Sequence, residues 1–500
     1  MSEEWDVIVV GSGNAGFSAA HSARQQGARV LLLEKAPREW AGGNSYFTAG
    51  AVRTSHGGLT DLEPLLEDLG EDRRGRVDLD PYPEADFLAD LRRVTRDRTD
   101  PELAEILVGE SREIMSWLHE LGLRFELMFH RQAYEVDGRF QFWGGLALGV
   151  VGGGKGLIAQ HLAAAEAGGV EIRYGCRVTG LVTGERGEVR GVLVADGAGV
   201  RPVHARSVIL TSGGFEANPQ MRAGYLGAGW DLALVRGTPY NTGDGIRMAL
   251  DAGAQPYGHW SGCHSVAWDA GAAPTGDQEL TNQLTRGGYP FGIVVNVEGR
   301  RFVDEGADFR NYTYAKYGAE ILKQTAGLAV QVFDAKAEPL LRPEEYGSAG
   351  ITKVESDTLE GLAEELDIDA DQFVRTVGEF NRSITGGTFN PTVKDGARTE
   401  GISPPKSNWA RPLDTPPYRA FPVTCGITFT FGGLRIDSGA RVLDTAGQAI
   451  PGLYAAGELV GGLFYFNYPG GSGLTAGSVF GRRAGRSAVA DGPRGHPDGA

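Results

Sequence analysis

Three clusters of small and polar residues have the composition of a surface that grips phosphates, a sugar and a ring system. The first is Gly11-Ser-Gly-Asn-Ala-Gly16, set between the apolar run Asp6 to Val10 and a helix-compatible stretch to Gln26. Gly11 permits a tight turn, Gly13 lets the backbone approach a pyrophosphate, and Gly16 lets the helix lie close on the strand. Asn14 and Ala15 open that helix, whose positive end receives the phosphates. A second apolar run, Arg29 to Leu33, ends in Glu34 and Lys35. A carboxylate about 20 residues past the glycines accepts hydrogen bonds from ribose hydroxyls and repels the 2′-phosphate of NADP.

The other two clusters decide between NAD and FAD. Gly42, Gly43, Asn44 and Ser45 form a second glycine-rich segment, and Ala455-Ala-Gly457-Glu458 ends a late strand. Backbone amides and one carboxylate from these segments suit a ribitol and an isoalloxazine, which NAD lacks. The expected cofactor is therefore FAD, with Ser472 and Leu474 as further contacts.

The elements that must position these residues come from both ends of the chain. Strand, glycine turn, helix and strand run from Asp6 to Leu33; Val170 to Ala195 alternates as strands do; and Pro451 to Glu458 is again a strand entering a glycine turn. Between about His259 and Asp414 the composition changes, with helical periodicity from Thr358 to Asn381 and loops at Pro404-Pro405 and Pro416-Pro417. The expected fold is α/β, a discontinuous Rossmann-type FAD-binding domain with an inserted α+β capping domain. The expected divisions are 1–257 and 415–490 for the FAD domain, 258–414 for the cap, and 491–500 as a disordered polar tail.

Composition narrows the partners. The formal charge of −16 over 500 residues opposes binding to nucleic acid or to an anionic membrane surface. No apolar run approaches the roughly 20 residues of a transmembrane helix, and no secretory pattern opens the chain, so a cytoplasmic location is expected. Cys176, Cys263 and Cys425 are isolated, without CxxC or CxxCH. Neither a built-in haem nor an iron–sulfur cluster is expected, and electrons must leave to an external acceptor, for example a membrane-associated iron–sulfur or cytochrome protein.

The order of segments resembles the FAD-dependent fumarate reductase and succinate dehydrogenase flavoprotein superfamily. The matching pieces are Gly42-Gly-Asn-Ser45, Thr242-Gly-Asp-Gly245, Asn296 to Glu305, Phe431-Gly-Gly433 and Pro451 to Glu458. Asp304 to Tyr314 and Phe466 to Leu474 look most like tricarballylate dehydrogenases. The resemblance implies a cap over the flavin, a small carboxylic acid between the two, α-proton removal and hydride transfer to flavin N5, or the reverse reaction as in fumarate reductases. It also implies roles for single residues: Arg310 in proton transfer or carboxylate orientation, His264 in substrate binding or proton relay, and Arg301 in bracing the cap. Tyr314 and Tyr468 are candidate hydrogen-bond donors, and Arg286 a second cation for a multiply charged acid.

Two departures from fumarate reductases stand out: Phe429 replaces a histidine, and Tyr468-Pro469 replaces an arginine. A flavin-attachment histidine is also missing, so noncovalent FAD is expected. A 3-ketosteroid dehydrogenase-like desaturase, which relies on tyrosines, and a non-catalytic flavin carrier are the competing readings.

Overall fold

Val7, Ile8 and Val9 are fully buried, as an apolar run without alternation requires when both faces of a parallel sheet are covered. They lie in the strand Glu4–Val10, which pairs in parallel with Val30–Leu33 on one side and Gly199–Leu210 on the other. Glu171–Arg173 extends the sheet beyond Val30–Leu33, and Ala449–Ala455 pairs in parallel with the end of Gly199–Leu210. One parallel core thus joins the two ends of the chain. Antiparallel strands Arg177–Thr183, Val189–Asp196 and Arg441–Leu443 complete the sheet. The computed structural model describes residues 4–197 and 199–491.

Helices Asn14–Gln25 and Ser472–Ala490 pack tightly on each other. Glycines spaced four apart on the later helix explain the approach. A Cβ on Gly481 would stand 2.5 Å from the Ala15 carbonyl oxygen, and one on Gly485 2.4 Å from that of Ala19. The helix that carries Ser472 and Leu474 is thereby seated against the helix that begins at Asn14.

A second sheet contains Leu234–Val235, Pro256–Asp269, Ile293–Asn296, Ala329–Phe333, Val354–Ser356 and Tyr418–Leu434. Leu362, Phe373, Val377 and Phe380, all buried, pack with Ile293, Val295, Val330 and Val332 of this sheet. The helical periodicity after Thr358 is realised as two helices, Leu359–Glu365 and Ala370–Ser383. They are separated by Asp367, which has a positive φ of 53°, and the second is capped by Asp369, whose carboxylate accepts the Gln372 N–H at 2.9 Å. The strand Tyr418–Leu434 lies beyond the expected cap boundary at 414, yet it pairs within the cap sheet, with His264 opposite Phe429. Its Thr428 and Phe429 reach the wall of the cleft between the two sheets.

Asp491, the first residue of the expected tail, binds Arg441 at 2.7 Å and the Tyr454 hydroxyl at 3.1 Å. The rest of that tail, 492–500, lies outside the described residues. Among the described residues, no helix is long and apolar enough to cross a membrane.

Candidate active site

A cleft of about 1980 Å³, open mouth included, runs between the two sheets. Its dinucleotide end is formed by the first glycine turn. Gly11 has φ of +106°, and a Cβ there would lie 2.6 Å from the Thr211 carbonyl oxygen; a Cβ on Gly16 would lie 2.0 Å from the Gly11 carbonyl oxygen. Gly13 differs. Its Cβ would meet nothing closer than Ser45 Oγ at 3.6 Å, because it faces the cleft. The protein does not need this glycine for its own packing, and its bare Cα leaves room for a phosphate group in the cleft.

Glu34 is buried at the end of its strand, where Oε2 accepts from the Ser12 N–H (2.9 Å) and hydroxyl (2.6 Å), and Oε1 from the Ala36 N–H (2.8 Å). Lys35 turns toward Thr242 (2.7 Å) and Asp244 (2.9 Å) of the Thr242-Gly-Asp-Gly245 segment. Ser12 Oγ also accepts the Gly42 N–H at 3.0 Å, and Ser45 Oγ accepts the Asn14 N–H at 3.1 Å. The first and second glycine segments are thus tied together across the cleft floor. Asn14 is fixed from behind: its side-chain amide donates to the Leu474 carbonyl oxygen at 2.8 Å, and its oxygen contacts His161 at 2.9 Å, which in turn contacts His21 at 3.3 Å. Burial lowers the His21 pKa to about 4 and holds His161 well below the usual range.

The late strand delivers Gly457 and Glu458 to the same cleft. Gly457 has φ of +82°, and a Cβ there would stand 2.8 Å from the Cβ of Ala15. Glu458 accepts the Thr430 N–H at 2.8 Å. Beneath it lies Glu216, fully buried, whose Oε1 accepts from Asn44 (2.7 Å) and Asn241 (2.6 Å). A cleft-facing glycine at the pyrophosphate turn, a buried carboxylate one strand away and a second glycine segment hydrogen-bonded to the first fit FAD. Gly11, Gly13, Asn14, Ala15, Glu34, Lys35, Gly43, Asn44, Ser45, Gly457, Glu458 and Leu474 line this space. Gly16, Gly42 and Ser472 support the lining from behind.

At the far end of the cleft the cap and the C-terminal loop meet. The hydroxyls of Tyr314 and Tyr468 are 2.5 Å apart, although 154 residues separate them in sequence. Both line the cleft. Burial raises both phenol pKa values, and the Tyr468 hydroxyl acts against this at Tyr314. His264 is packed edge-on behind the pair, with ring centroids 4.9 Å from Tyr314 and 5.0 Å from Tyr468. Neither of its ring nitrogens has a hydrogen-bond partner, and burial followed by the charge of Arg236 holds its pKa well below the usual range. An imidazolium is thus disfavoured at this position.

Arg310 lines the cleft and donates to the Arg131 carbonyl oxygen at 2.7 Å, with its guanidinium 5.3 Å from the centroid of Trp143. Arg286 is placed elsewhere. It is fully buried, ion-paired with Asp269 at 2.5 Å, and bonded to the Gln283 carbonyl oxygen at 2.8 Å, outside the cleft lining. A further arginine that lines the cleft is Arg236, a residue that motif reading did not single out. Its Nε donates to Thr285 Oγ1 at 3.1 Å, Nη1 to Thr428 Oγ1 at 3.0 Å, and Nη2 to Asn282. Among the described residues, neither Arg236 nor Arg310 has a carboxylate within ion-pair distance, whereas the neighbouring Arg131 and Arg342 both pair with Glu345 at 2.7 Å. A buried guanidinium without a counter-ion is costly, and an anion in the cleft would offset that cost. Arg301 pairs with Glu305 at 2.5 Å and donates to the Pro404 carbonyl oxygen at 2.8 Å, bracing the cap. The sequence offers one hint of Arg236: it stands six residues before the Thr242-Gly-Asp-Gly245 segment.

Comparison with known proteins agrees with this geometry. The FAD binding domain family matches residues 75–474 and the FAD dependent oxidoreductase family residues 6–137. A probable fumarate reductase of Shewanella frigidimarina is 30% identical over 502 residues, covering 98% of this chain and 75% of the relative. The 4-oxocyclohexanecarboxylate 2-dehydrogenase of Sinomonas cyclohexanicum is 30% identical over 582 residues, covering 99% of this chain and 94% of the relative. Among solved structures, the open conformation of a flavocytochrome c3 fumarate reductase superposes with a TM-score of 0.73 at 27% identity, covering 99% of this chain and 79% of the other. With the cleft, the paired sheets and these relatives in agreement, the chain belongs to the FAD-binding flavoprotein family of the fumarate reductases and is an FAD-dependent oxidoreductase.

Proposed function

We propose that the protein is a dehydrogenase that oxidises a CH–CH bond of a di- or tricarboxylic acid, of the tricarballylate to cis-aconitate type. The observation that carries this reading is the pair of cleft-lining guanidiniums, Arg236 and Arg310, that have no carboxylate partner among the described residues. FAD, held by the glycine segments and Glu34, would supply the two-electron acceptor for the hydride that leaves the β carbon. Arg236, held by three neutral acceptors, keeps its full charge available to a substrate carboxylate. Arg310, as a guanidinium, orients the carboxylate next to the carbon that loses its proton; to accept that proton it would have to enter the step as the neutral guanidine and leave it as the guanidinium. Charge neutralisation by planar, bidentate donors is what makes an α-carbanion-like transition state accessible in a dry site. Tyr314 and Tyr468, near the same arginines, donate hydrogen bonds into the cleft, and neutral His264 keeps them packed. With no haem or cluster motif in the sequence, the electrons pass to a separate redox partner.

A second reading is favoured by one specific observation. The contact between the Tyr314 and Tyr468 hydroxyls suits a ketone desaturase, in which one phenol holds the carbonyl oxygen while the other accepts a proton. The Sinomonas relative is named for a ketone-bearing acid. An anaerobic screen of tricarballylate, succinate, 4-oxocyclohexanecarboxylate and a 3-ketosteroid, followed by loss of flavin absorbance, separates the readings. Bleaching by the tricarboxylate is expected; bleaching only by the ketones overturns the acid reading in favour of the second.

A further inference from the structure

Glu216 and Glu458 place two carboxyl groups in hydrogen-bonding contact inside the protein, under the wall of the cofactor cleft. Their remaining partners define the polarity of the pair. Glu216 Oε1 accepts two amide donors, Asn44 Nδ2 at 2.7 Å and Asn241 Nδ2 at 2.6 Å. Glu216 Oε2 has no donor at all, although it is fully buried. Glu458 Oε1 accepts the Thr430 N–H at 2.8 Å. Two ionised carboxylates in contact without water or a cation between them are prohibitive. The orphaned Oε2 is satisfied if it carries a hydrogen and donates it to Glu458.

We infer that Glu216 is held as a neutral carboxylic acid whose Oε2–H is donated to Glu458, so that the pair carries one negative charge and presents Glu458 to the cofactor. The packing around it fits. A Cβ on Gly214 would overlap Glu458 Oε1 and Thr430 Oγ1, both at 2.2 Å, so the backbone that delivers Glu216 has no room for the pair to separate on that side. The other titratable groups facing Glu216 are Arg222 and the thiol of Cys263, which has the thiol of Cys425 beside it. Arg222 donates to the Glu216 backbone oxygen at 2.6 Å and to the Asp231 backbone oxygen at 2.8 Å rather than to the carboxyl. Burial raises both thiol pKa values and keeps the thiols neutral. Burial and the neighbouring Glu458 charge likewise push the Glu216 carboxyl well above the usual range. Glu216 is thus a positioning residue. Through Asn44 and Asn241 it also ties the second glycine segment to the loop before Asp244.

This inference rests on FAD binding and is independent of the substrate. Its test uses the FAD-loaded enzyme with isotope-labelled glutamate and reads the infrared carbonyl band of a protonated carboxylic acid. That band is expected to persist from about pH 6 to about pH 9, far above the ordinary carboxylate range. Glu216→Gln, whose amide reproduces both the acceptor and the donor of the neutral acid, is expected to lose the band and keep the FAD dissociation constant within about threefold. Glu216→Ala strands the two asparagine amides and Glu458, and is expected to weaken FAD binding roughly tenfold or more. Glu458→Gln is expected to shift the band by changing its acceptor. Absence of a protonated-carboxyl band in the wild-type enzyme overturns the inference, as does a band that persists in Glu216→Gln. If Glu216→Gln does not fold, an unshifted band in Glu458→Gln overturns it equally.

Discussion

The two ends of the cleft are built by different means. At the dinucleotide end, residues 11 to 16 and 34 to 45 are neighbours in sequence and do most of their work with backbone: positive φ at Gly11 and Gly42, a bare Cα at Gly13, and a strand-end carboxylate. At the reaction end, Arg236, His264, Arg310, Tyr314 and Tyr468 come from four separate segments and present side chains rather than backbone. The first end is a local motif that carries its own geometry. The second exists only after the cap sheet has folded onto the parallel sheet.

Breaking the dinucleotide end should have the largest effect. Gly13→Val is expected to leave a folded but colourless protein, because the added side chain meets no protein atom closer than 3.6 Å at its Cβ and projects into the phosphate site. Circular dichroism and the flavin absorbance of purified protein check this; a yellow variant would remove Gly13 from the cofactor site. Gly16→Val makes the internal contrast: its Cβ falls 2.0 Å from a backbone oxygen, so loss of fold rather than of colour is expected.

At the reaction end the expected loss is smaller and confined to turnover. Arg236→Gln and Arg310→Lys should both keep FAD and lower kcat/KM with a tricarboxylate by about 10²–10³, or about 2.7–4 kcal/mol, by analogy with removing one charge-stabilising donor from a dry site. Near-normal turnover in Arg236→Gln would show that the cation bound to Thr285, Thr428 and Asn282 does not meet substrate.

Acid should act on the support behind the dinucleotide end. The unfolded chain protonates His21 below about pH 6.5, whereas burial delays this to about pH 4 in the folded chain. Stability is therefore complete above that window and falls as pH falls through it, by roughly 3 kcal/mol from this group alone. His161, also held neutral by burial, acts in the same direction. Thermal melts of wild type and His21→Gln between pH 7 and pH 5 check the assignment: the variant should lose less stability on acidification, and equal losses would place the pH dependence elsewhere.

Tyr468→Phe gives the smallest expected effect under the acid reading. It removes one hydroxyl contact, about 1 kcal/mol, and should change turnover of a tricarboxylate less than tenfold. The same substitution should abolish turnover if the substrate is a ketone held by the phenol. The ratio of the Arg236→Gln and Tyr468→Phe losses therefore reports which chemistry the reaction end performs.

The strand, glycine turn, helix, strand and carboxylate of residues 6 to 34 could be read directly from the chain, because each of those roles depends on backbone conformation and on interactions within one βαβ unit. FAD followed from the same logic applied to Gly42 to Ser45 and Ala455 to Glu458, the discontinuous α/β domain from strands at both ends of the chain, and the inserted cap from the change of composition between His259 and Asp414. What residues 286 and 236 do could not be read that way. Both are arginines in loop-like surroundings, and only folding decides that Arg286 meets Asp269 in the cap while Arg236 meets the cleft with no carboxylate at ion-pair distance among the described residues. The placement of Tyr418–Leu434 in the cap sheet and the meeting of Glu216 with Glu458 have the same origin. Each depends on which distant strands lie side by side, and a one-dimensional pattern specifies the strands without specifying their neighbours.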